Sequence, residues 1–124
     1  IFVNFFGQPA STTPSPASFA LKFGRPIFPL FMLRLGPTRC QCIIQDPILP
    51  ENAEGETKAE QIEWITQQYT KEIEDMARLH PGQYFWFHRR WKTTPERAAK
   101  KQKRLERKRE ARRRGESAPL SETA

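Results

Sequence analysis

Arg89 and Arg90 are the residues of this chain best suited to hold an anion. They stand in the run His80-Pro81-Gly82-Gln83-Tyr84-Phe85-Trp86-Phe87-His88-Arg89-Arg90-Trp91-Lys92. Arginine offers planar, forked donors that match phosphate or carboxylate oxygens. The neighbouring aromatic rings offer apolar area and rigid walls. The mixture suits the edge of a site where a phosphorylated, partly apolar substrate meets protein. It equally suits a core strand, carrying Tyr84 and Trp86, that runs into an exposed basic segment. His88 reads as a packed or hydrogen-bonded histidine rather than a base, and Trp86 and Trp91 as packing or interface anchors.

A second polar group follows an apolar start. Gly7 permits close backbone approach, and the hydroxyls of Ser11, Thr12 and Thr13 can donate to phosphate or sugar oxygens. The same residues also fit a turn followed by a hydroxyl-capped helix. Arg34, at the end of an apolar run, is either a solvent-facing strand-end cation or a ligand contact. Cys40 and Cys42 stand two apart and share one face of a strand. A bridge at that spacing is geometrically awkward, and no further Cys/His group completes a zinc site. They read as reduced, structural thiols, which fits a cytosolic setting, and no metal or cofactor is expected.

These groups need a scaffold, and 124 residues make one domain at most. The chain opens with Ile1, and residues 1–6 read as a buried strand ending at Gly7. A strand at the very start predicts the C-terminal piece of a longer protein. Gln8–Pro16 reads as a loop, and Ala17–Phe23 as a short helix with proline near its first turn and Gly24 as its stop. Pro26–Leu35 is almost continuously apolar, the pattern of a strand buried on both faces. Gly36-Pro37-Thr38 turns the chain into a return strand over Arg39–Gln45. Thr57-x-x-Glu60 is a capping-box pattern. Ile62, Ile65, Tyr69, Ile73 and Met76 then form one helical stripe, which Pro81-Gly82 terminates. A short strand is expected in the aromatic segment. Alternation of this kind predicts an α/β domain.

The charge divides the chain. From Arg89 to the end stand 14 Lys/Arg and 5 Asp/Glu, whereas residues 1–88 hold 7 and 9. The basic character therefore belongs to a tail. Thr94–Arg114 has good helix propensity but no apolar face, so it reads as a solvated helix or disordered arm, and Gly115–Ala124 as a disordered end. Such a tail favours polyanions, either nucleic acid or an anionic membrane. Against nucleic acid, the body is slightly acidic and carries no sequence-reading motif. No apolar run approaches the ~20 residues that span a bilayer, and no signal peptide is visible.

Three stretches, taken in order, resemble the C-terminal half of the bacterial lipid A biosynthesis acyltransferases, the lauroyl/myristoyl transferase family. They are Val3-Asn4-Phe5-Phe6-Gly7-Gln8-Pro9-Ala10-Ser11-Thr12-Thr13, Ala20-Leu21-Lys22-Phe23-Gly24-Arg25-Pro26-Ile27-Phe28-Pro29-Leu30-Phe31, and Pro81 to Lys92. The likeness covers residues 1–93 and leaves 94–124 as a basic tail. It implies a glycerolipid-acyltransferase-like mixed sheet flanked by helices. It also implies transfer of an acyl chain from an acyl carrier protein or coenzyme A thioester to a hydroxyl of a phosphorylated, glucosamine-based lipid. The implied location is the cytoplasmic face of the bacterial inner membrane, with the protein peripheral or N-terminally anchored, and nucleic acid is not an expected partner. The family's general base pair is a His-x4-Asp/Glu motif. Five residues after His80 stands Phe85, and five after His88 stands Thr93. No catalytic residue is therefore expected in this chain. The expected substrate-binding residues are Gly7, Ser11, Thr12, Thr13, Arg89 and Arg90. Phe6 stands where related glycerolipid acyltransferases carry the acidic residue of a Pro-Glu-Gly-Thr-type phosphate motif.

Overall fold

A computed structural model describes residues 1–114. The chain divides into a body, Ile1–Lys92, and a second unit that begins at Thr93. The expected disordered end, Gly115–Ala124, lies outside the described residues.

The body is mixed α/β, with two small antiparallel sheets. β1 (Phe2–Phe5) pairs with β2 (Gln8–Ser11), Phe5 opposite Gln8 and Phe2 opposite Ser11. The two-residue loop Phe6-Gly7 has φ of 53° and 76°. Two positive φ values make the turn whose twist matches a hairpin. β2 corrects the loop expected over Gln8–Pro16. Pro9 does not forbid a strand here, because a two-stranded sheet is all edge and needs no donor on its outer side.

α1 (Ser15–Phe23) starts with proline in its first turn and stops at Gly24 in the left-handed conformation. It buries Ala17 and Ala20. β3 (Leu30–Arg34) pairs with β4 (Cys40–Ile44), Met32 opposite Cys42. This corrects the doubly buried strand expected over Pro26–Leu35. Only five of those residues form the strand, Leu33 is its one buried side chain, and Leu30 and Met32 are 54% and 61% exposed. The strand has one strand partner and only one covered face. Its other edge is held at Arg34, whose N–H donates to Gln83 Oε1 (2.7 Å) and whose carbonyl accepts from Gln83 Nε2 (3.1 Å).

α2 (Lys58–Leu79) begins with the capping box that Thr57 and Glu60 predict, both reciprocal bonds being made. Its buried residues are Ile65, Thr66, Thr70, Met76 and Ala77. The buried face is thus rotated from the expected stripe, leaving Ile62, Tyr69 and Ile73 half-buried. Two threonines can be buried because each hydroxyl donates back one turn, Thr66 to Ile62 (2.6 Å) and Thr70 to Thr66 (2.7 Å).

The short strand expected after Pro81-Gly82 does not form. A 3-10 turn at Pro81–Gln83 leads into tight turns through Lys92, with bonds such as Trp86 N–H to Tyr84 C=O and His88 N–H to Phe85 C=O. The rings decide this path. Tyr84 and Trp91 pack against Phe5, Trp86 packs against Phe6, and Phe85 and Phe87 point to solvent. Phe5, fully buried, is the centre of the core.

The second unit contains α3 (Pro95–Arg113), capped by Thr94 and without a buried residue. Among the described residues no helix is long and apolar enough to cross a membrane.

Candidate functional site

The open end of the first hairpin gathers most of the expected binding residues. Ser11 N–H donates to the Arg90 carbonyl (3.1 Å), which ties the end of β2 to the aromatic–arginine turns. Thr12 exchanges backbone bonds with Ile1 at 2.8 and 3.1 Å, and its hydroxyl donates to the Ala10 carbonyl (3.3 Å). The Thr13 hydroxyl pairs with that of Ser15 at 3.1 Å. The Tyr69 phenol, projecting from α2, donates to the Thr13 carbonyl.

Arg90 supplies the charge. Its guanidinium lies over the Phe5 ring, Cζ 4.6 Å from the centroid. Its half-burial and this cation–π contact fix the cation in place. Arg90 Nε and Trp91 Nε1 are buried and donate to no protein acceptor. Buried donors without partners are uncommon, because each leaves a desolvation cost uncompensated. Burial holds the Tyr69 phenol above the ordinary tyrosine range, offset in part by the Thr66 side chain and then by the nearby Arg90 charge. Arg90, Tyr69 and the Ser11–Thr13 segment therefore form one neighbourhood: a fixed cation, a phenol and small hydroxyls. Such a group can receive an oxyanion or a sugar hydroxyl.

Two expected residues stand apart from it. Arg89 is exposed, turned outward by the same bends that bring Arg90 onto Phe5. Gly7 sits at the hairpin tip, four residues before Ser11, about 13 Å along the strand. No atom lies within 4 Å of where a Gly7 side chain would begin, so its positive φ, not close approach, accounts for glycine there. At that tip Phe6 N–H donates to Glu74 Oε2 (2.7 Å), and the Arg78 guanidinium lies 4.7 Å from the Phe6 ring while binding Glu74 Oε1. Arg34 is a strand-end cation that caps its own turn through the Gly36 and Pro37 carbonyls, both at 3.2 Å.

His88 is exposed, while His80 lines a small apolar cavity of about 90 Å³ with Leu33, Met76 and Tyr84. Both cysteines are free and exposed, and among the described residues no cluster could hold a metal ion. Tyr69 escaped the sequence reading because its spacing assigned it to the apolar stripe. A phenol on such a stripe is itself a signal, since its hydroxyl needs an acceptor when buried.

No curated protein and no solved structure matches this chain. The model of one family, described as bacterial lipid A biosynthesis acyltransferase, matches residues 1–93. That match covers three quarters of the chain, and the chain belongs to the bacterial lipid A biosynthesis acyltransferase family.

Proposed function

We propose that this chain is the C-terminal part of an acyltransferase that moves a fatty acyl chain from a thioester donor to a phosphorylated, glucosamine-based lipid. The donor is an acyl carrier protein or coenzyme A thioester, and the acceptor offers a sugar hydroxyl. In this reading the general base and its orienting carboxylate come from residues outside the chain, since Phe85 and Thr93 occupy the positions where the histidines here would need an acid. The body contributes an acceptor-binding wall of a glycerolipid-acyltransferase-like fold. The protein works at the cytoplasmic face of the inner membrane, where the cations of α3 favour an anionic leaflet by ~1 kcal/mol for each one near the surface.

The observation that carries the reading is the Arg90 cation fixed on Phe5, on a turn tied to the Ser11 backbone, with Tyr69 bound to the Thr13 carbonyl of the same segment. A phosphate on the acceptor would take the guanidinium fork, and the hydroxyls would orient the sugar. The test uses the full-length gene product, an acyl carrier protein thioester and a phosphorylated disaccharide lipid dispersed in detergent. Wild type transfers the chain, and Arg90→Ala lowers kcat/KM by about tenfold or more, the size of a lost charge-assisted hydrogen bond. Arg90→Lys recovers part of the loss, and Arg89→Ala has the smaller effect. A wild type without transfer defeats the reading. An Arg90→Ala enzyme with unchanged kcat/KM removes Arg90 from the site.

A further inference from the structure

α1 is built inside out. Its buried contacts are the small Ala17 and Ala20, while its largest apolar side chains, Phe19 and Phe23, are each 60% exposed. The two rings stack on each other at 6.2 Å, so the pair forms one continuous apolar ridge. Beside the ridge runs an open groove of about 540 Å³ lined by Pro16, Phe19, Phe23, Pro26 and Ile27. Leaving two phenylalanines in water is unfavourable, and an exposed apolar patch with a charged rim marks an interaction surface.

Two cations, Lys22 and Arg25, stand at the ridge and its groove. Arg25 lines the groove, and Lys22 Nζ lies 5.3 Å from the centre of the Phe23 ring. More broadly, residues 1–45 contain four Lys/Arg and no Asp or Glu, and every acidic residue of the body lies between Asp46 and Asp75. Aromatic side chains flanked by cations whose stems can lie along apolar surface are the composition of a lipid-facing helix. An open ridge also asks for no shape-matched partner.

We propose that the α1 face, centred on Phe19 and Phe23 with Lys22 and Arg25, is a lipid-contact surface that sets its rings into the interface of an anionic bilayer. The proposal rests on the acyltransferase reading only for the presence of a membrane. It assigns membrane contact to the body itself, separate from the cations of α3.

The test measures co-sedimentation of the purified chain with vesicles of equal parts phosphatidylglycerol and phosphatidylcholine. Phe19→Ser/Phe23→Ser lowers the partition coefficient about tenfold or more, with the unfolding midpoint unchanged because both rings are exposed. Salt at about 0.5 M screens the α3 cations, so the residual binding of wild type there is the apolar contribution, and the double variant loses it. Lys22→Ala/Arg25→Ala weakens binding to the anionic vesicles and leaves weak binding to phosphatidylcholine alone unchanged. Two results overturn the proposal. One is a double serine variant that binds vesicles as wild type does. The other is a wild type that self-associates in sedimentation velocity while the serine variant is monomeric with equal vesicle binding, which would make the ridge a contact between copies. Acyl transfer to the detergent-dispersed acceptor is read separately, so loss of vesicle binding with transfer intact leaves the enzyme reading standing.

Discussion

The two hairpins of the body have the same topology and opposite fates. β1–β2, which contains Asn4, Gln8 and Pro9, holds the most buried ring of the protein, Phe5, and presses Val3 and Ala10 into the core. β3–β4, which contains Leu30, Phe31, Met32, Leu33, Ile43 and Ile44, buries only Leu33. The less apolar hairpin is the core element because α2 packs against it, and side chains of the same helix satisfy its edge. Gln67 brackets the Asn4 backbone, accepting from its N–H at 2.7 Å and donating to its carbonyl at 2.9 Å. Glu74 takes the Phe6 N–H at the tip. These bonds satisfy edge groups that a two-stranded sheet leaves open. The edge of β3 has a similar bracket from Gln83 at Arg34, so burial here follows the helix that packs on the sheet, not the hydropathy of the strand or the satisfaction of its edge.

The largest expected effect tests that contrast at its centre. Phe5→Ala removes a ring packed by Phe6, Tyr84, Trp91 and the Arg90 guanidinium. It should cost about 3–5 kcal/mol, the range for a fully buried phenylalanine, measured by urea unfolding. The same substitution frees Arg90 from its platform, so the candidate site and the core fail together. A cost below about 1 kcal/mol would mean that the first hairpin is not the core element.

What could be read from the residues alone follows the same division between local and distant causes. The α2 start was legible, because Thr57 and Glu60 satisfy each other's backbone within one turn. The end of α1 was legible, because Gly24 needs no partner beyond its own helix. β2 was not. Its turn places Phe6 at positive φ, a conformation rare for a bulky residue, held by Glu74 from 68 positions away. The exposure of β3 was not legible either, since an apolar run does not say whether a second layer covers it. At the site, Arg89 and Arg90 are neighbours of identical chemistry, and only the turns through His88 and Lys92 decide that one is held on Phe5 and the other exposed. The hydroxyls of Ser11–Thr13 were recognisable as a group, but the backbone ties of that segment to Arg90 and Tyr69 are tertiary bonds that spacing does not encode.

A middle-sized effect probes the polar tie at the hairpin tip. The Glu74 side chain is 17% exposed. The Phe6 N–H first, and then the Arg78 guanidinium, hold its carboxyl below the usual carboxylate range. A lowered folded-state pKa favours the fold wherever the group is ionised in the unfolded chain. That contribution is complete above the ordinary glutamate value of ~4.3 and is lost as pH falls through the lowered folded value. Glu74→Gln should therefore cost about 1 kcal/mol at neutral pH and flatten the acid limb of stability against pH. The exposed Lys71–Asp75 pair on the same helix is the control, since surface pairs of this kind contribute about 0–1 kcal/mol. Equal losses from Glu74→Gln and Asp75→Asn would mean that the Phe6 bond adds nothing.

The smallest effect is the sharpest test of the second hairpin. Met32 and Leu30 share a face with their cross-strand partners Cys42 and Ile44, and all four are exposed. If that face meets only water in the isolated chain, Met32→Ser should change stability by no more than about 0.5 kcal/mol in either direction. Its effect on β3–β4 pairing is small because the backbone ladder is unaltered. A core-sized loss of 2 kcal/mol or more, on the order expected for emptying a buried methionine site, would show that the face is covered in solution. The contrast between the hairpins would then concern the partner each one meets, with α2 covering the first and a second surface covering the other. The unfolding midpoint at two protein concentrations separates these outcomes, because cover supplied by another copy strengthens with concentration and cover within one chain does not.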